Sequence, residues 1–278
     1  MKIKEVLNKS IEILKNNNIE DAFLKAKIIL SSILDVDKSY LIINQEDEIE
    51  KKIEDEFFLK INRLCENEPI QYIINNQEFY GYNFYVDKNV LIPQPDTEIL
   101  VEEVIKLAKN KEKYLKILDL CTGSGAIAVS LYKNLNNVEI SASDISKEAL
   151  NVAKLNIQKN ECKIKLIKSN LFENVNEKFD IIVSNPPYIE TSTIKNLSKE
   201  VQNEPYIALD GKEDGLYFYK EIAQNANDYL NNEGIIAFEI GYNQKESVEK
   251  ILEENNFINI YSIKDLSGND RVVIGYKK

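Results

Sequence analysis

Short apolar runs rich in β-branched residues alternate with longer amphipathic segments from Lys116 onward. The apolar runs predict strands over 117–120, 138–142, 164–167, 179–183 and 235–240. Helices are predicted between them, starting near residues 126, 146, 215 and 244. Strands that alternate with helices at this spacing form a mostly parallel, doubly wound sheet. The final strands, 258–263 and 272–276, have no helix between them and are predicted to be antiparallel, so the fold class is α/β.

The first 75 residues carry a different pattern, with apolar residues at helical spacing. The first predicted helix is built on Ile3, Val6, Leu7, Ile11 and Leu14. A second helix is predicted to be capped by Asp21, and a third to run from about Glu46 to Cys65. No pattern typical of catalysis occurs here, so we expect a small helical domain whose role, by elimination, is recognition of a partner.

A proline-rich entry separates this region from the α/β part. Residues 78–86 are rich in aromatic and β-branched residues and predict a β-hairpin. The prolines at 93 and 95 then make the chain stiff and extended, and Asp96 or Thr97 is a predicted helix cap. We therefore expect a helical domain over 1–75, a hairpin linker over 76–95 and an α/β domain over 96–278.

Composition excludes several kinds of chemistry. The chain contains no histidine, so a histidine base, triad or metal ligand is impossible. Its three cysteines are an odd number without C-x-x-C spacing, which argues against a disulfide framework or a zinc site. The net charge of −11 disfavours duplex nucleic acid, although a local basic patch stays possible. Without an apolar leader or a membrane-length apolar run, we expect a cytoplasmic protein.

The fourth predicted strand ends in Asn185-Pro186-Pro187-Tyr188. Two prolines favour extended backbone and make this strand end a stiff corner. The side-chain oxygen of Asn185 and the carbonyl oxygen of Pro186 can each accept one hydrogen of an NH2 group, while Tyr188 can lie over a planar substrate. The corner thus fits an amide or aromatic amine held for attack on an electrophile. A turn without function is the alternative interpretation.

A glycine-containing loop follows the first strand of the sheet and opens a helix, over residues 119–128. Its glycines let a ligand approach the backbone, and the helix N-terminus presents free N–H groups. Asp144, at the end of the second strand, can accept hydrogen bonds from two ribose hydroxyls. These features fit a methyl-donor nucleoside and a nicotinamide dinucleotide comparably well, and a structural turn is the third possibility. Cys121 is interpreted as a packing residue, since no partner base is identified near it.

The Asn-Pro-Pro-Tyr corner separates these alternatives, because it lies on the same carboxyl edge of the sheet as the loop. A hydride-transfer enzyme has no obvious use for a clamp on an amino group at that position. A methyltransferase does, since the methyl group of S-adenosylmethionine is an electrophile and the clamped nitrogen is its nucleophile. The two motifs together predict methyl transfer from S-adenosylmethionine to nitrogen.

With both motifs placed, essentially the whole chain resembles the HemK/PrmC family, the protein-(glutamine-N5) methyltransferases of peptide chain release factors. The resemblance rests on segments 68–73, 79–81, 91–98, 119–128, 144–146, 170–173, 184–189, 213–216, 239–241 and 270–275. Asn-Pro-Pro-Tyr alone is shared with adenine-N6 methyltransferases of DNA, whereas the hairpin, the 93–98 segment and the helical N-terminal domain are more specific. The family resemblance implies a Rossmann-like class I S-adenosylmethionine-dependent methyltransferase fold, with an antiparallel last strand, preceded by a small helical domain.

The same resemblance implies roles for particular residues. S-adenosylmethionine would be bound by Cys121, Thr122, Gly123, Ser124, Gly125, Asp144, Asn170, Leu171 and Asn185. Of these, Asp144 would bind the ribose, and Asn170 and Leu171 would lie beside the adenine. The substrate glutamine, from the Gly-Gly-Gln tip of a release factor, would be held by Asn185, Pro186, Pro187 and Tyr188, with Asn185, Pro186 and Tyr188 as the catalytic residues. The N-terminal helices would help to grip the protein substrate, and no metal is expected.

Two positions depart from the family pattern. The family usually has arginine where this chain has Gln94, and a neutral amide does not reproduce the charged fork of arginine. It commonly has aspartate where this chain has Asn170, although an asparagine oxygen can still accept a hydrogen bond. Neither position belongs to the predicted clamp on the substrate nitrogen.

Two other functions stay open from the residues. One is an adenine-N6 methyltransferase of DNA or RNA, which the acidic balance and the lack of a basic target-reading segment disfavour. The other is a non-catalytic module that docks a translation factor, which the intact loop and corner disfavour. We expect a release factor as the partner, no membrane, no stable binding of nucleic acid, and a monomer.

Overall fold

The computed structural model describes residues 1–111 and 113–278, which divide into two compact units. One unit comprises Met1–Asn76 together with Ser198–Asn203. The other comprises Gln77–Leu197 and Glu204–Lys278. Within the described residues, no helix combines the length and the apolar character needed to cross a membrane.

The first unit is helical. Its helices are α1 (Ile3–Asn16), α2 (Ala22–Leu34), α3 (Tyr40–Ile43), α4 (Lys51–Cys65) and α5 (Ile70–Ile74). They pack around a core of their own that includes Val6, Leu14, Ile29, Phe57 and Ile61. The segment 198–203 joins this unit through an ion pair between Lys25 and Glu200, with 3.0 Å between the charged atoms, and a hydrogen bond from Asn203 Nδ2 to the Asn67 carbonyl at 2.9 Å.

Two predictions for these helices are wrong. Asp21 precedes α2 but does not cap it, since its φ of 52° is left-handed and its side chain makes no capping hydrogen bond. The third predicted helix begins at Lys51 and not near Glu46. The reason is that residues 45–47 bond to the start of α1 and do not form a helix of their own. The backbone N–H groups of Ile3 and Lys4 donate to the carbonyls of Asp47 and Gln45, both at 3.0 Å.

The second unit contains a short hairpin and a seven-stranded sheet. The hairpin strands are β1 (Gln77–Phe79) and β2 (Tyr82–Phe84), as predicted. The larger sheet contains β3 (Leu115–Leu120), β4 (Val138–Asp144), β5 (Ile164–Lys168), β6 (Phe179–Ser184), β7 (Leu230–Glu239), β8 (Phe257–Lys264) and β9 (Asp270–Lys277). Its helices are α6 (Thr97–Lys109), α7 (Ala126–Asn134), α8 (Lys147–Lys159), α9 (Thr191–Ile194), α11 (Tyr206–Leu209), α12 (Tyr217–Tyr229) and α13 (Lys245–Glu254), while α10 (Lys199–Gln202) lies in the segment that joins the first unit.

The strand order of the sheet is β5-β4-β3-β6-β7-β9-β8. The pairs from β5 through β7 are parallel, and β9 is antiparallel to both of its neighbours. The chain order reverses between β3 and β6, which is the point where ligands bind in open sheets of this kind. The predicted α/β fold is confirmed, with the antiparallel last strand placed inside the sheet, between β7 and β8.

Both faces of the sheet are buried. Ile117, Ile181 and Ile235 are in register and pack against α6, α7 and α8 on one face. The next residue of each strand, Leu118, Ile182 and Ile236, packs against α12 and α13 on the other face. Because successive strand residues alternate between two apolar layers, polar side chains can reach solvent only near the strand ends.

The connection between β6 and α12 holds three helices that periodicity did not predict. The helices α9, α10 and α11 are each four residues long. One helical turn is too short to display the apolar spacing from which a longer helix is recognised. This connection follows the Asn-Pro-Pro-Tyr corner directly, so it shapes the surroundings of the predicted site.

A buried asparagine on α8 links two loops of the second unit. Asn156 has no exposed surface; its Nδ2 donates to the carbonyls of Tyr85 and Ser124 at 2.9 and 2.8 Å. Its Oδ1 accepts from the Tyr85 N–H at 2.6 Å. One side chain therefore holds the segment after the hairpin against the glycine loop that follows β3.

We expect Asn156→Asp to lower the free energy of unfolding by about 2 to 4 kcal/mol, because two buried carbonyls lose their donor and a carboxylate is buried beside them. The measurement is the urea midpoint of the purified variant. Asn151→Asp on the exposed side of the same helix is the matched control and should stay within about 0.5 kcal/mol of the parent. Equal midpoints for the two variants would contradict the proposed link.

Candidate active site

A cavity of about 310 Å³ opens at the carboxyl ends of β3, β4 and β6. The predicted site residues that line it are Cys121, Thr122, Gly123, Ser124, Asp144, Asn170, Leu171, Asn185 and Pro187. Gly125, Pro186 and Tyr188 do not line it. The structure therefore brings most of the predicted residues into one pocket of a size typical for small ligands.

A buried carboxylate, that of Asp119, holds the glycine loop through hydrogen bonds to its residues and to the start of α7. Asp119, near the end of β3, is fully buried, and its Oδ2 accepts from the Thr122 hydroxyl at 2.6 Å and from the Ala128 N–H at 3.2 Å. Burial raises the pKa of Asp119 to about 7, against the opposing effect of those two hydrogen bonds. Gly125 then begins α7 with a φ of 81°, and a Cβ there would lie 3.3 Å from the Cβ of Ala153. Gly125 thus allows close packing of α7 on α8.

Asp144 ends β4 at the rim of the cavity. Its Oδ2 accepts from the Gly123 N–H and its Oδ1 from the Ser146 N–H, both at 2.9 Å. Burial raises the pKa of Asp144, while these backbone hydrogen bonds lower it. A carboxylate has about four acceptor sites, so two stay available for hydroxyl groups of a ligand. The helix predicted to start near residue 146 is α8, and Ser146 caps it, since its Oγ accepts from the Ala149 N–H at 3.1 Å.

The main chain beside the cavity is open to a ligand at Gly123. A Cβ added to Gly123 would meet no atom within 4 Å, so a ligand can approach the main chain there. Cys121 and Leu171 have left-handed φ angles of 60° and 47°, which are unusual for residues with a side chain and frequent at functional sites. Burial raises the pKa of the Cys121 thiol, so it stays neutral and packs as an apolar group.

Asn170 has a defined amide orientation. Its Nδ2 donates to Glu173 Oε1 at 2.9 Å, which leaves Oδ1 as the available acceptor. This side chain can therefore accept a hydrogen bond as an aspartate would. Gln94, the second departure from the family pattern, lines the cavity and donates from Nε2 to the Ile92 carbonyl at 3.0 Å.

The Asn185 amide lies where β6 ends. Its Nδ2 donates to Thr97 Oγ1 at 3.3 Å, and its Oδ1 accepts no hydrogen bond from the described residues. The side-chain oxygen is thus free for an incoming donor, which is the orientation that the predicted clamp requires. Asp96 or Thr97 was predicted to cap α6, but neither side chain makes a capping hydrogen bond. The Thr97 hydroxyl accepts from Asn185 instead, and Asp96 pairs with Arg271, with 3.0 Å between the charged atoms.

Tyr188 is fixed from several sides. Its hydroxyl donates to Glu239 Oε1 at 3.3 Å, and its carbonyl accepts from Gln244 Nε2 at 3.0 Å. A Cβ at Gly211 would lie 2.7 Å from the Tyr188 main chain, and one at Gly215 would lie 2.4 Å from the Tyr188 carbonyl oxygen. The Tyr188 main chain is therefore held at the corner, next to the cavity-lining Pro187, in a position that two glycines make possible.

Glu239 and Gln244 were not predicted as site residues. Gln244 is buried, and its Oε1 accepts from the Gly241 N–H at 2.9 Å while its Nε2 reaches the Tyr188 and Gly215 carbonyls. Glu239 is the last residue of β7 and is buried at the end of an apolar strand. A carboxylate inside the predicted strand 235–240, whose other residues are apolar, was the available sequence signal for Glu239. Gln244 offered none.

The strand order, the acidic residue after the second strand of the sheet and the Asn-Pro-Pro-Tyr corner after the fourth define a class I methyltransferase. Comparison with known families agrees, since the Methyltransferase small domain matches residues 94–205 and the PrmC N-terminal domain matches residues 5–74. A solved ribosomal protein L11 methylase from Lactobacillus delbrueckii subsp. bulgaricus has a TM-score of 0.51 and 26% sequence identity, over 69% of this chain and 84% of that one.

Curated relatives narrow the class further. The release factor glutamine methyltransferase of Clostridium acetobutylicum is 43% identical over 100% of this chain and 99% of its own length. That of Clostridium botulinum is 42% identical over 98% of both chains. This chain belongs to the release factor glutamine methyltransferase family, which confirms the resemblance drawn from the sequence.

Gly215→Ala is expected to lower the rate of methyl transfer by about 100-fold, because the added Cβ displaces the Tyr188 main chain and the corner with it. Binding of S-adenosylmethionine, measured by calorimetry, should change by less than about threefold, since no lining residue is altered. Gly268→Ala is the matched control: Gly268 also has a left-handed φ, of 86°, but a Cβ there would meet nothing within 4 Å. A similar loss of rate in both variants would assign the effect to backbone strain and not to Tyr188.

Proposed function

We propose that this protein transfers a methyl group from S-adenosylmethionine to the N5 side-chain amide of the glutamine in the Gly-Gly-Gln motif of a peptide chain release factor. The observation that carries this proposal is the Asn185 amide, which Thr97 holds with its oxygen free at the end of β6. The family to which the chain belongs supports the substrate class.

The residues around the cavity fit S-adenosylmethionine. Asp144 has acceptor sites left for the ribose hydroxyls, Gly123 leaves the main chain open, and Asn170 has a free side-chain oxygen beside Leu171 for the adenine amino group. The remaining loop residues, Cys121, Thr122 and Ser124, would surround the methionine part, with Asn185 next to it. When bound, S-adenosylmethionine supplies an electrophilic methyl group.

The corner would then position the nucleophile. A glutamine amide nitrogen is weakly nucleophilic because its lone pair is delocalised, so orientation has to supply much of the rate enhancement. Asn185 Oδ1 and the Pro186 carbonyl would each accept one of its hydrogens, and they would stabilise the positive charge that develops on the nitrogen. No base is required before the attack, because transfer of the methyl group releases S-adenosylhomocysteine and leaves a cationic nitrogen with two acidic hydrogens, one of which is then lost to solvent to give the neutral N-methyl amide. Tyr188 and Pro187 would limit the plane in which the amide fits.

We also propose a role for each of the three segments predicted from the sequence. The helical region over 1–75 would recognise the body of the release factor, residues 76–95 would form the hairpin linker, and residues 96–278 would carry catalysis. We propose that the reaction takes place in the cytoplasm. We propose that the protein works as a monomer, without a metal and without stable binding to nucleic acid.

The test is a mass-spectrometric methylation assay with the purified protein, S-adenosylmethionine and a full-length release factor. We expect one methyl group on the glutamine of Gly-Gly-Gln and none on a Gly-Gly-Ala variant of the same factor. If S-adenosylmethionine binds but no methyl group appears on the factor, the clamp serves another amine, and an adenine-containing oligonucleotide is the substrate to assay next.

Asn185→Ala is expected to lower turnover by about 10³-fold or more, since both the orientation of the nitrogen and the stabilisation of its charge are lost. The dissociation constant of S-adenosylmethionine should stay within about threefold of the parent. Asn225→Ala on the exposed side of α12 is the control for removal of an asparagine side chain. Turnover of the Asn185 variant near that of this control would refute the clamp.

A further inference from the structure

The Asn185 amide can adopt two orientations that differ only in the exchange of its oxygen and nitrogen. One presents an acceptor to the substrate NH2 group, and the other presents a donor that would repel it. The observed hydrogen bond from Nδ2 to Thr97 Oγ1 selects the first orientation. Thr97 is 5% exposed, so solvent does not compete strongly for its hydroxyl.

A threonine hydroxyl selects this orientation only if its own hydrogen points elsewhere. A hydroxyl both donates and accepts, so with its hydrogen directed at Asn185 it would favour the opposite orientation. The Glu239 carboxylate lies close enough to Thr97 for the Thr97 hydroxyl to lower its pKa, and its Oε2 is buried without a hydrogen-bond partner among the described residues, so it can take this hydrogen. An ionised carboxylate only accepts, so it draws the Thr97 hydrogen and leaves the lone pairs of Oγ1 to Asn185.

Glu239 has capacity for this role. It is 2% exposed, its Oε1 accepts from the Tyr188 hydroxyl, and its Oε2, buried and unpaired among the described residues, is the oxygen left for the Thr97 hydroxyl. Its neighbours in the chain, Phe238 and Ile240, are fully buried apolar residues. Burial of a carboxylate at such a position is costly, and an apolar residue of similar volume would often be as stable or more so. A role in the site accounts for an acidic residue where packing favours an apolar one.

We propose that Glu239 is a positioning residue, whose carboxylate directs the Thr97 hydroxyl so that Asn185 keeps its oxygen towards the substrate amide. The same carboxylate holds the hydroxyl of Tyr188, so one buried group orients both ends of the Asn-Pro-Pro-Tyr corner. This inference rests on the proposed function, since it explains how the clamp on the nitrogen is maintained.

The charged and titratable groups around Glu239 allow its ionisation to be varied. Burial raises the pKa of Glu239 to about 7, while Thr97, the charge of Arg271 and the hydroxyl of Tyr188 lower it and the charge of Asp96 raises it. The hydroxyl of Tyr219 is also close and stays protonated, because its own burial raises its pKa far above 10. The ionised fraction of Glu239 therefore rises as the pH increases through about 7.

The first experiment changes the hydroxyl. Thr97→Val keeps the shape and removes the acceptor for Asn185 Nδ2, and we expect kcat to fall by about 30-fold with the KM for S-adenosylmethionine within about threefold of the parent. Thr97→Ser restores a hydroxyl and should return kcat to within about threefold. Loss of activity in both variants, or in neither, would overturn the proposal.

The second experiment changes the carboxylate. Glu239→Gln keeps the shape but adds an NH2 donor that competes for Thr97 Oγ1, and we expect kcat at pH 8 to fall by about tenfold or more. Glu103→Gln is the matched control, because Glu103 is also buried in this unit and accepts from a tyrosine hydroxyl, that of Tyr261, at 2.9 Å without lining the cavity. The control should retain the parent kcat.

The pH dependence distinguishes positioning from simple packing. The ratio of the parent kcat to that of Glu239→Gln should rise by up to about tenfold between pH 6 and pH 8, because the parent carboxylate ionises over that range and the amide does not. Because kcat is compared as a ratio, the effects of other groups that titrate in both proteins cancel. A ratio that stays constant with pH would mean that Glu239 serves packing alone.

These outcomes are separate from a failure of the proposed function. If the parent protein does not methylate the release factor, the substrate assignment fails before any variant is compared. If the parent is active while Thr97→Val and Glu239→Gln match it, the substrate assignment holds and only the inference about Glu239 fails.

Discussion

Burial of the sheet on both faces decides where the polar groups of the second unit can lie. Ile117 and Leu118 point to opposite apolar layers, and their partners on β6 and β7 continue those layers. A polar side chain inside either layer would lose hydration without gaining a partner. Polar residues therefore gather where the strands end, and the crossing point between β3 and β6 brings two such ends side by side.

The carboxylates that remain buried near these ends each hold a loop. Asp119 holds the glycine loop through Thr122 and the first turn of α7, and Glu239 holds the hydroxyl of Tyr188. Burial raises the pKa of both to about 7. Such groups are expensive to retain, and each contacts the backbone or side chains that shape the cavity. These buried carboxylates lower the stability of the second unit, but they fix the arrangement of the residues that shape the cavity.

Support for the corner comes from segments far apart in the chain. Gln244 joins the main chain of Tyr188 to that of Gly215 and Gly241, and Gly211 and Gly215 leave the space that Tyr188 occupies. Because these contacts reach the corner from different directions, a small shift of one support is resisted by the others. This is the condition for holding an amide nitrogen accurately enough for direct transfer.

Periodicity and short motifs were sufficient for the fold class, the order of the long elements and most of the residues that line the cavity. The spacing of apolar residues indicates which segments are buried strands and helices. The glycine loop, Asp144 and Asn-Pro-Pro-Tyr are each defined by residues close together in the chain, so they can be recognised from the sequence. The four-residue helices after the corner escaped prediction because a single turn has no period. Asp21, Asp96 and Thr97 were predicted to cap helices from residue type alone, and none of their side chains makes a capping hydrogen bond; Thr97 bonds Asn185 and Asp96 pairs with Arg271.

The amino-acid sequence by itself thus predicted a doubly wound sheet, which the structure confirms, and singled out a glycine loop and the Asn-Pro-Pro-Tyr corner as the candidate binding elements. Only the tertiary structure decided that β9 lies between β7 and β8, that Thr97 serves Asn185 and that Glu239 and Gln244 hold Tyr188. The physical reason is that a hydrogen bond between residues 88 or 51 positions apart depends on how the elements pack. Neither residue type nor spacing along the chain carries that information.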